Sequence, residues 1–589
     1  MRKPKKNIVW QGIPASPGIA IGKVYLLDKE VIKIKEEKLP PGQIQKEILR
    51  FKKALGEAKK EIVKLKENIA KKIGPEQAKI FDAHLLILED EVINQQVLNE
   101  IREEKKNAEF IYNRVVQKTI QAISLSKYEY LKERVADISA VSSRVINRLL
   151  GLKQHTIEPL KIPSVIVAHS LSPGDVVQMK KESVLGFAAD LGGKTSHVAL
   201  LAKSLGFPAV VGLKTLFPTV KSGEKLILDG DIGEVILSPD QVTLKNYEFK
   251  KEKLLEKSKT LLELTGLAAE TKDKKKIELS ANIELPSDVE SALENGAEGI
   301  GLFRTEYLYL TSSDLPDEEE QYQAYFSITR KIYPQRVIIR TFDMGGDKFA
   351  RDQERDYEAN PFLGWRAIRA CLDLPDVFKT QLRAILKASP SGNLNIMLPM
   401  ISGIDELLEA KKILEEVKEE FRAKKISFDE NLKVGIMIEI PSAALEADSL
   451  AKHCDFFSIG TNDLIQYTLA VDRTNEKIAH LYQSFHPSVL KLIKKTIDDG
   501  HRNNIWVGLC GEMAADPKAT VLLVGLGIDE LSASPLSIPQ IKKVVRSIEF
   551  REARDFAEEV LKLNDSKRIE KFLEDDYQRR FNQENSTKV

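Results

Sequence analysis

One local pattern repeats through the second half of the chain. Eight short apolar or β-branched runs, at 277–284, 299–305, 337–343, 395–400, 434–440, 456–463, 506–510 and 530–534, alternate with segments of helical periodicity or charge. Eight such units over roughly 300 residues are the count and length of a (β/α)8 barrel. That fold puts its active site where the strands end. Here the ends carry Asn282 and Glu284, Arg304, Arg340 with Asp343, Glu439, Asn462 with Asp463, and Cys510. Polar side chains are common on barrel loops. Apolar runs that stop repeatedly on arginine or carboxylate, all at the predicted catalytic face, favour an anionic, metal-assisted substrate instead.

The stretch 456–473 is the most explicit of these steps. An apolar run breaks at Gly460 into Thr461, Asn462 and Asp463, and the helix-like spacing of Leu464, Gln466, Tyr467 and Ala470 then delivers Arg473. A carboxylate suits Mg²⁺ as an oxygen ligand, and a planar guanidinium fork suits phosphate oxygens.

Length and composition narrow the class. A chain of 589 residues holds several domains. Its 89 lysines and arginines balance 88 aspartates and glutamates, so composition gives no support for nucleic-acid or membrane-surface binding. The three cysteines, Cys371, Cys454 and Cys510, are odd in number and unpatterned, which indicates a reducing compartment. No apolar stretch approaches a membrane span, and Gln11, Pro14, Pro17 and Gly18 interrupt the segment after the basic residues 1–6. The expectation is a cytoplasmic protein without membrane insertion.

The first half divides differently. Residues 12–22 form a Gly/Pro-punctuated β segment leading into 24–27. From Ile44 the apolar positions Ile48, Phe51, Leu55, Ala58, Ile62, Leu65 and Ile69 alternate spacings of four and three, and further helices are predicted at 80–98, 108–125 and 133–150. β character returns at 164–168, 183–189, 209–212 and 226–229, so a helical block is inserted into an α/β domain. Residues 245–264 read as a solvated connecting helix. Within the α/β domain lies Asp190-Leu-Gly-Gly-Lys-Thr-Ser-His197. Its glycines let backbone approach a ligand, and a helix starting near Ser196 offers free N–H groups to an anion. A histidine there can act as a nucleophile through neutral imidazole. N-capping explains Thr195 and Ser196 equally well.

Taken together, the segments 192–197, 301–306, 360–366, 456–473 and 508–512 closely resemble enzyme I of the bacterial sugar phosphotransferase system, the phosphoenolpyruvate–protein phosphotransferases. The resemblance runs in order from Gly12 to beyond Cys510. It implies a swivelling phosphohistidine α/β domain at 1–30 plus 152–240, with an inserted α-helical subdomain at 31–151 that binds a carrier protein. A helical linker at 241–270 and a C-terminal (β/α)8 TIM-type barrel at 271–589, which binds phosphoenolpyruvate and forms the homodimer, complete the expected organisation. By resemblance, His197 takes the phosphoryl group through Nε2 and passes it to a histidine-containing phosphocarrier protein. Glu439 and Asp463 are the expected Mg²⁺ ligands. Arg304, Arg340, Asn462 and Arg473 clamp the substrate, with Asp463 beside them. Cys510 protonates C3 of the leaving enolate to give pyruvate, and Arg366 and Lys348 add positive charge. The stretch 81–90, with His84 and Leu85, and Arg134 match the docking region.

Two positions depart from the family pattern. Lys194 stands where arginine is common, keeping charge but losing the planar fork. Val176 falls where relatives have a threonine that steadies the active histidine, and Thr195 or Ser172 is the expected substitute. A dikinase or phosphoenolpyruvate synthase would need a large ATP-binding domain, and the N-terminal region has no Gly-rich nucleotide loop. A catalytically silent regulator would have lost a reacting group, yet His197, Glu439, Asp463 and Cys510 are all present.

Overall fold

A computed structural model describes residues 7–27, 34–72, 80–124, 129–151, 162–193, 197–310, 315–345, 360–473, 475 and 477–581. The chain divides into two units, Met1–Glu256 and Lys257–Val589.

The first unit is built on β1 (Ile8–Gln11), β2 (Ile13–Ser16), β3 (Ile19–Leu27), β4 (Ser164–Ala168), β5 (Val184–Ala189), β6 (Ala209–Val211), β7 (Lys225–Asp229) and β8 (Glu234–Leu237). They form one sheet in the order β1-β8-β7-β3-β4-β5-β6-β2, parallel from β3 through β6 and antiparallel elsewhere. Alternation along β4 feeds two cores: Val165 and Val167 join one apolar cluster, Ile166 and Ala168 the other. Helices occupy the second face, and among the described residues five of them, Ile44–Lys72, Ile80–Leu88, Glu91–Glu104, Ala108–Ser124 and Glu129–Leu149, fall between β3 and β4. The seam of the first of these is buried at Ile48, Phe51, Ala58, Ile62 and Leu65.

The predicted helix 80–98 is two helices. Asp90 stops the first and caps the second, its carboxylate accepting the Ile93 N–H at 2.9 Å. The pairing of β1 with β8, Ile8 opposite Leu237, is not predictable from either short run; the antiparallel ladder between them supplies the order.

In the second unit β9 (Glu278–Ile283), β10 (Ile300–Phe303), β11 (Val337–Arg340), β12 (Leu394–Leu398), β13 (Lys433–Ile438), β14 (Phe456–Ile459), β15 (Trp506–Leu509) and β16 (Glu530–Ala533) close into a barrel, every neighbouring pair parallel. Period-2 alternation again sets the packing. Val434, Ile436 and Ile438 of β13 join the core shared with the outer helices, whereas Met437 enters the lumen with Leu302, Ile338, Met397, Phe456 and Cys510. Beyond the last barrel unit the chain adds helices Phe550–Lys562 and Ser566–Phe581. No helix among the described residues is long and apolar enough to cross a membrane.

Candidate functional site

Each barrel strand that carries a candidate residue places it at or just past the last ladder pair, where the side chain clears the barrel wall. Arg304 follows β10, Arg340 ends β11, Glu439 follows β13 and Cys510 follows β15. Asn462 and Asp463 open helix Thr461–Leu469 after β14; that helix ends at Ala470 in a left-handed cap, and Arg473 comes three residues later. All of these side chains, with Arg366, line one cavity of about 320 Å³.

Charge inside the cavity runs as a chain. Arg340 donates through Nη2 to Glu306 Oε1 at 2.9 Å and lies 2.8 Å through Nη1 from Asp343 Oδ2. Arg366 Nη2 meets the other Asp343 oxygen at 2.6 Å and Asp463 Oδ2 at 3.3 Å. Toward the rim, Arg304 pairs with Glu284 at 2.7 Å and Arg473 with Glu512 at 3.4 Å. Burial opposes ionisation of Asp343, but Arg340 and Arg366 outweigh it and hold the carboxyl below its ordinary value. Burial wins at Glu306, Glu439 and Asp463, all shifted upward, and neighbouring carboxylates add to the shift at each.

Among the described residues no cluster of three or more His, Cys, Asp or Glu is set to hold a metal by itself. Glu439 and Asp463 instead offer the two-carboxylate set that Mg²⁺ uses when substrate phosphate and water complete its shell. The structure fits such an ion in two respects. Each of the two carboxylates is raised partly by acidic neighbours, repulsion that a cation would relieve. Glu439 is also oriented: its Oε1 accepts the Met400 N–H at 2.7 Å, and Oε2 faces Gly460, where a Cβ would stand 3.0 Å away.

Cys510 is buried. Its carbonyl accepts from Asn282 Nδ2 at 2.9 Å, and Ser532 Oγ fixes Asn282 at 2.6 Å, so the backbone that carries the thiol is held from β9 and β16. Burial, only partly opposed by a hydrogen bond to Ser458, pushes the thiol up to about 11. It is therefore protonated at neutral pH and able to give a proton.

The remaining candidates lie elsewhere. His197 begins helix His197–Leu205 in the first unit, after Gly192 in a left-handed turn (φ 128°). Its imidazole, like Lys194, Thr195 and Lys348, is outside the described residues. Val176 is buried on the short helix Pro173–Gln178. Ser172 is committed to capping that helix, accepting the Asp175 N–H and donating to the Asp175 carboxylate at 2.7 Å, so it is not a spare hydroxyl that could replace the family's threonine. His84 corrects a second expectation. It is fully buried, edge-on to Phe81, with Nε2 3.2 Å from Asp137 Oδ1, and cannot itself meet a partner. Leu85 is half-buried against the helical core, and Arg134 lies on helix Glu129–Leu149 with its side chain outside the described residues.

Glu306 is a site residue that sequence reasoning missed, although it closes the segment 301–306 two residues after Arg304. Its carboxylate joins Arg340 to the backbone, accepting the Asp343 N–H at 3.2 Å. Behind it Gln381 accepts the Phe342 N–H at 3.2 Å, and Thr305 Oγ1 donates to the Arg340 carbonyl at 3.0 Å. Gln381 comes from a different barrel helix, and no local spacing announces it.

Family models match three segments: residues 11–134 as the N-terminal region of a PEP-utilising enzyme, 160–233 as its mobile domain and 258–550 as its PEP-binding domain. The chain is 44% identical over 562 residues, 95% of this chain and 97% of the relative, to a phosphoenolpyruvate-protein phosphotransferase of Bacillus sp. (strain S). It is 42% identical over 564 residues, covering 96% and 98%, to one from Haemophilus influenzae. Among solved structures, an NMR solution structure of an Enzyme I protein matches 42% of this chain and 99% of its own length at 43% identity, with a TM-score of 0.36.

Proposed function

The chain belongs to the family of phosphoenolpyruvate-protein phosphotransferases, and on that premise we propose how its residues divide the work. It is a phosphotransferase that uses phosphoenolpyruvate as donor in the phosphotransferase system. The arginine-lined cavity at the barrel's strand ends carries the reading of its donor site. Arg304, Arg340 and Arg473, with Asn462, bind and orient the phosphate and carboxylate of the substrate, and Arg366, paired with Asp343 and Asp463, helps hold Asp343 ionised beside them. Glu439 and Asp463 would hold Mg²⁺, which would supply positive charge to neutralise the phosphoryl group during transfer. Phosphoryl transfer is mainly positioning and electrostatic stabilisation, which matches a site built of guanidinium forks and carboxylates.

His197 is the acceptor. Its imidazole nitrogen bonds to phosphorus as the bond from phosphorus to the enol oxygen breaks, and the electron pair stays on that oxygen as an enolate. Cys510 then gives its proton to C3, and pyruvate leaves. The raised thiol supports that role, since it stays protonated until the enolate forms. His197 belongs to the first unit and the cavity to the second, so the histidine domain swings to the cavity to react and away to a histidine-containing phosphocarrier protein. Exposed Leu86 and Val92 on the helical block support an apolar docking surface there. The barrel pairs as a homodimer, an extension of the family resemblance. Three buried, unpaired cysteines support a reducing, cytoplasmic setting.

The test is incubation with Mg²⁺ and labelled phosphoenolpyruvate, then mapping of the label. An acid-labile, base-stable phosphate on His197, lost in Arg304→Ala or Arg473→Ala and absent with labelled ATP alone, is the expected result. Label from ATP would point to a dikinase, and no label from either donor to a binding scaffold.

A further inference from the structure

Connecting helix Gln241–Leu262 ends in a short turn, and the chain enters the barrel through 265–277. That entry is held by an unusual donor. Lys542, on helix Ile538–Ser547, is 1% exposed. Its ammonium donates to the Thr265 carbonyl at 3.0 Å and the Gly296 carbonyl at 2.9 Å, and lies 3.6 Å from Glu298 Oε1. An ammonium has three protons and no acceptor; here two of them go to carbonyls from two separate segments, and the Glu298 carboxylate supplies a counter-charge. The same carboxylate accepts the Ala269 N–H at 3.1 Å, and Arg546, one turn further on, donates to the Ala268 carbonyl at 2.5 Å. Gly296 completes the fit: it sits at φ 75°, and a Cβ there would fall 2.5 Å from the Thr265 carbonyl oxygen.

Burying a lysine is costly, and an aliphatic side chain of similar size would fill the space without the desolvation penalty. What the charge adds is direction, because it fixes two carbonyls in one geometry. The other end of the helix has ties of its own: Tyr247 donates to Glu234 at 2.9 Å and Lys250 to Asp229 at 2.6 Å. We propose that Lys542 is a positioning residue for interdomain phosphoryl transfer, fixing the barrel end of the connecting helix so that the swing bends the chain on the N-terminal side of Thr265. The inference rests on the proposed transfer from the barrel cavity to His197. A loosened entry would let the histidine domain arrive in many orientations, and in-line transfer loses rate steeply with misplacement.

The experiment uses full-length protein and measures His197 phosphorylation by phosphoenolpyruvate in single turnover, together with binding of phosphoenolpyruvate to chains that also carry His197→Ala. Lys542→Met is expected to slow transfer by about tenfold or more while leaving substrate affinity unchanged, and Lys542→Arg to recover part of the rate. Spin labels on the two units should report a broader distance distribution in Lys542→Met. If Lys542→Met does not fold, Arg546→Ala decides, since it removes one exposed contact of the same clamp; it too should slow transfer without weakening binding. Folded variants that bind substrate and transfer at the wild-type rate overturn the proposal. A wild-type chain that never labels at His197 overturns both it and the functional reading, and the two failures are thereby distinct.

Discussion

Glu530 begins β16 at the closed end of the barrel with 1% of its surface exposed, and its Oε1 has no hydrogen-bond partner. Arg336 Nη2 is 3.8 Å from the other oxygen, Oε2, but is engaged by Glu278 at 2.7 Å. Burial, with Glu278 adding repulsion and Arg336 only partly opposing it, raises the carboxyl from 4.5 to about 7. The folded state thus holds a proton that the unfolded chain releases near 4.5. Stability from this group is complete below that value and is lost as pH rises to about 7, by on the order of 3 kcal/mol. Glu530→Gln should flatten the fall and make the variant the more stable protein at pH 8. Calorimetric Tm measured from pH 4.5 to 8.5 tests this, and parallel curves for both proteins would refute it. Residues of this kind separate what the sequence makes legible from what it hides. Arginines and carboxylates ending apolar runs stand out because barrel geometry sends strand ends to one face. Glu530 starts a run, where a charge looks like ordinary solvent-facing polarity, and only the closed ring of strands buries it.

Alternation on β13 leaves Gly435 and Met437 facing the lumen, and Gly435 has a steric reason. A Cβ there would fall 2.4 Å from ring carbons of Phe456, whose ring stacks on Trp506 with centroids 4.6 Å apart. Neither ring can yield without displacing the other, so Gly435→Ala should destabilise the barrel by ~1–3 kcal/mol through overpacking. Thermal unfolding measures it; an unchanged Tm would mean the lumen has slack. Strands and the long seam of helix Ile44–Lys72 are readable because each buries one face with a fixed period. The break at Asp90 is not, since apolar spacing continues across it and only the capping bond shows the stop. The β1–β8 pair is hidden for a related reason: four-residue runs carry too little pattern, and their order comes from a ladder partner more than 200 residues away.

The apolar clusters of the whole molecule respect its division. Among the described residues, the barrel's clusters draw only on positions from Ala269 onward, and those of the first unit end at Leu237. Two cores of this kind unfold as separate cooperative units, so the full chain should give two calorimetric transitions. Binding then assigns them. If His197 is the acceptor as proposed, a His197→Ala chain will not consume the substrate, and phosphoenolpyruvate with Mg²⁺ is expected to bind only the folded barrel. At a hundredfold excess over Kd it should stabilise that transition by about 2.7 kcal/mol and leave the other in place. Removing the metal with chelator should erase most of the shift if Glu439 and Asp463 bind substrate through Mg²⁺, because their charges then face the phosphate unscreened. A shift that survives chelation would leave the arginines as the whole of the binding energy and remove the metal from the donor site. A shift of both transitions together would instead show that the connecting helix couples the units even when no phosphoryl group can move.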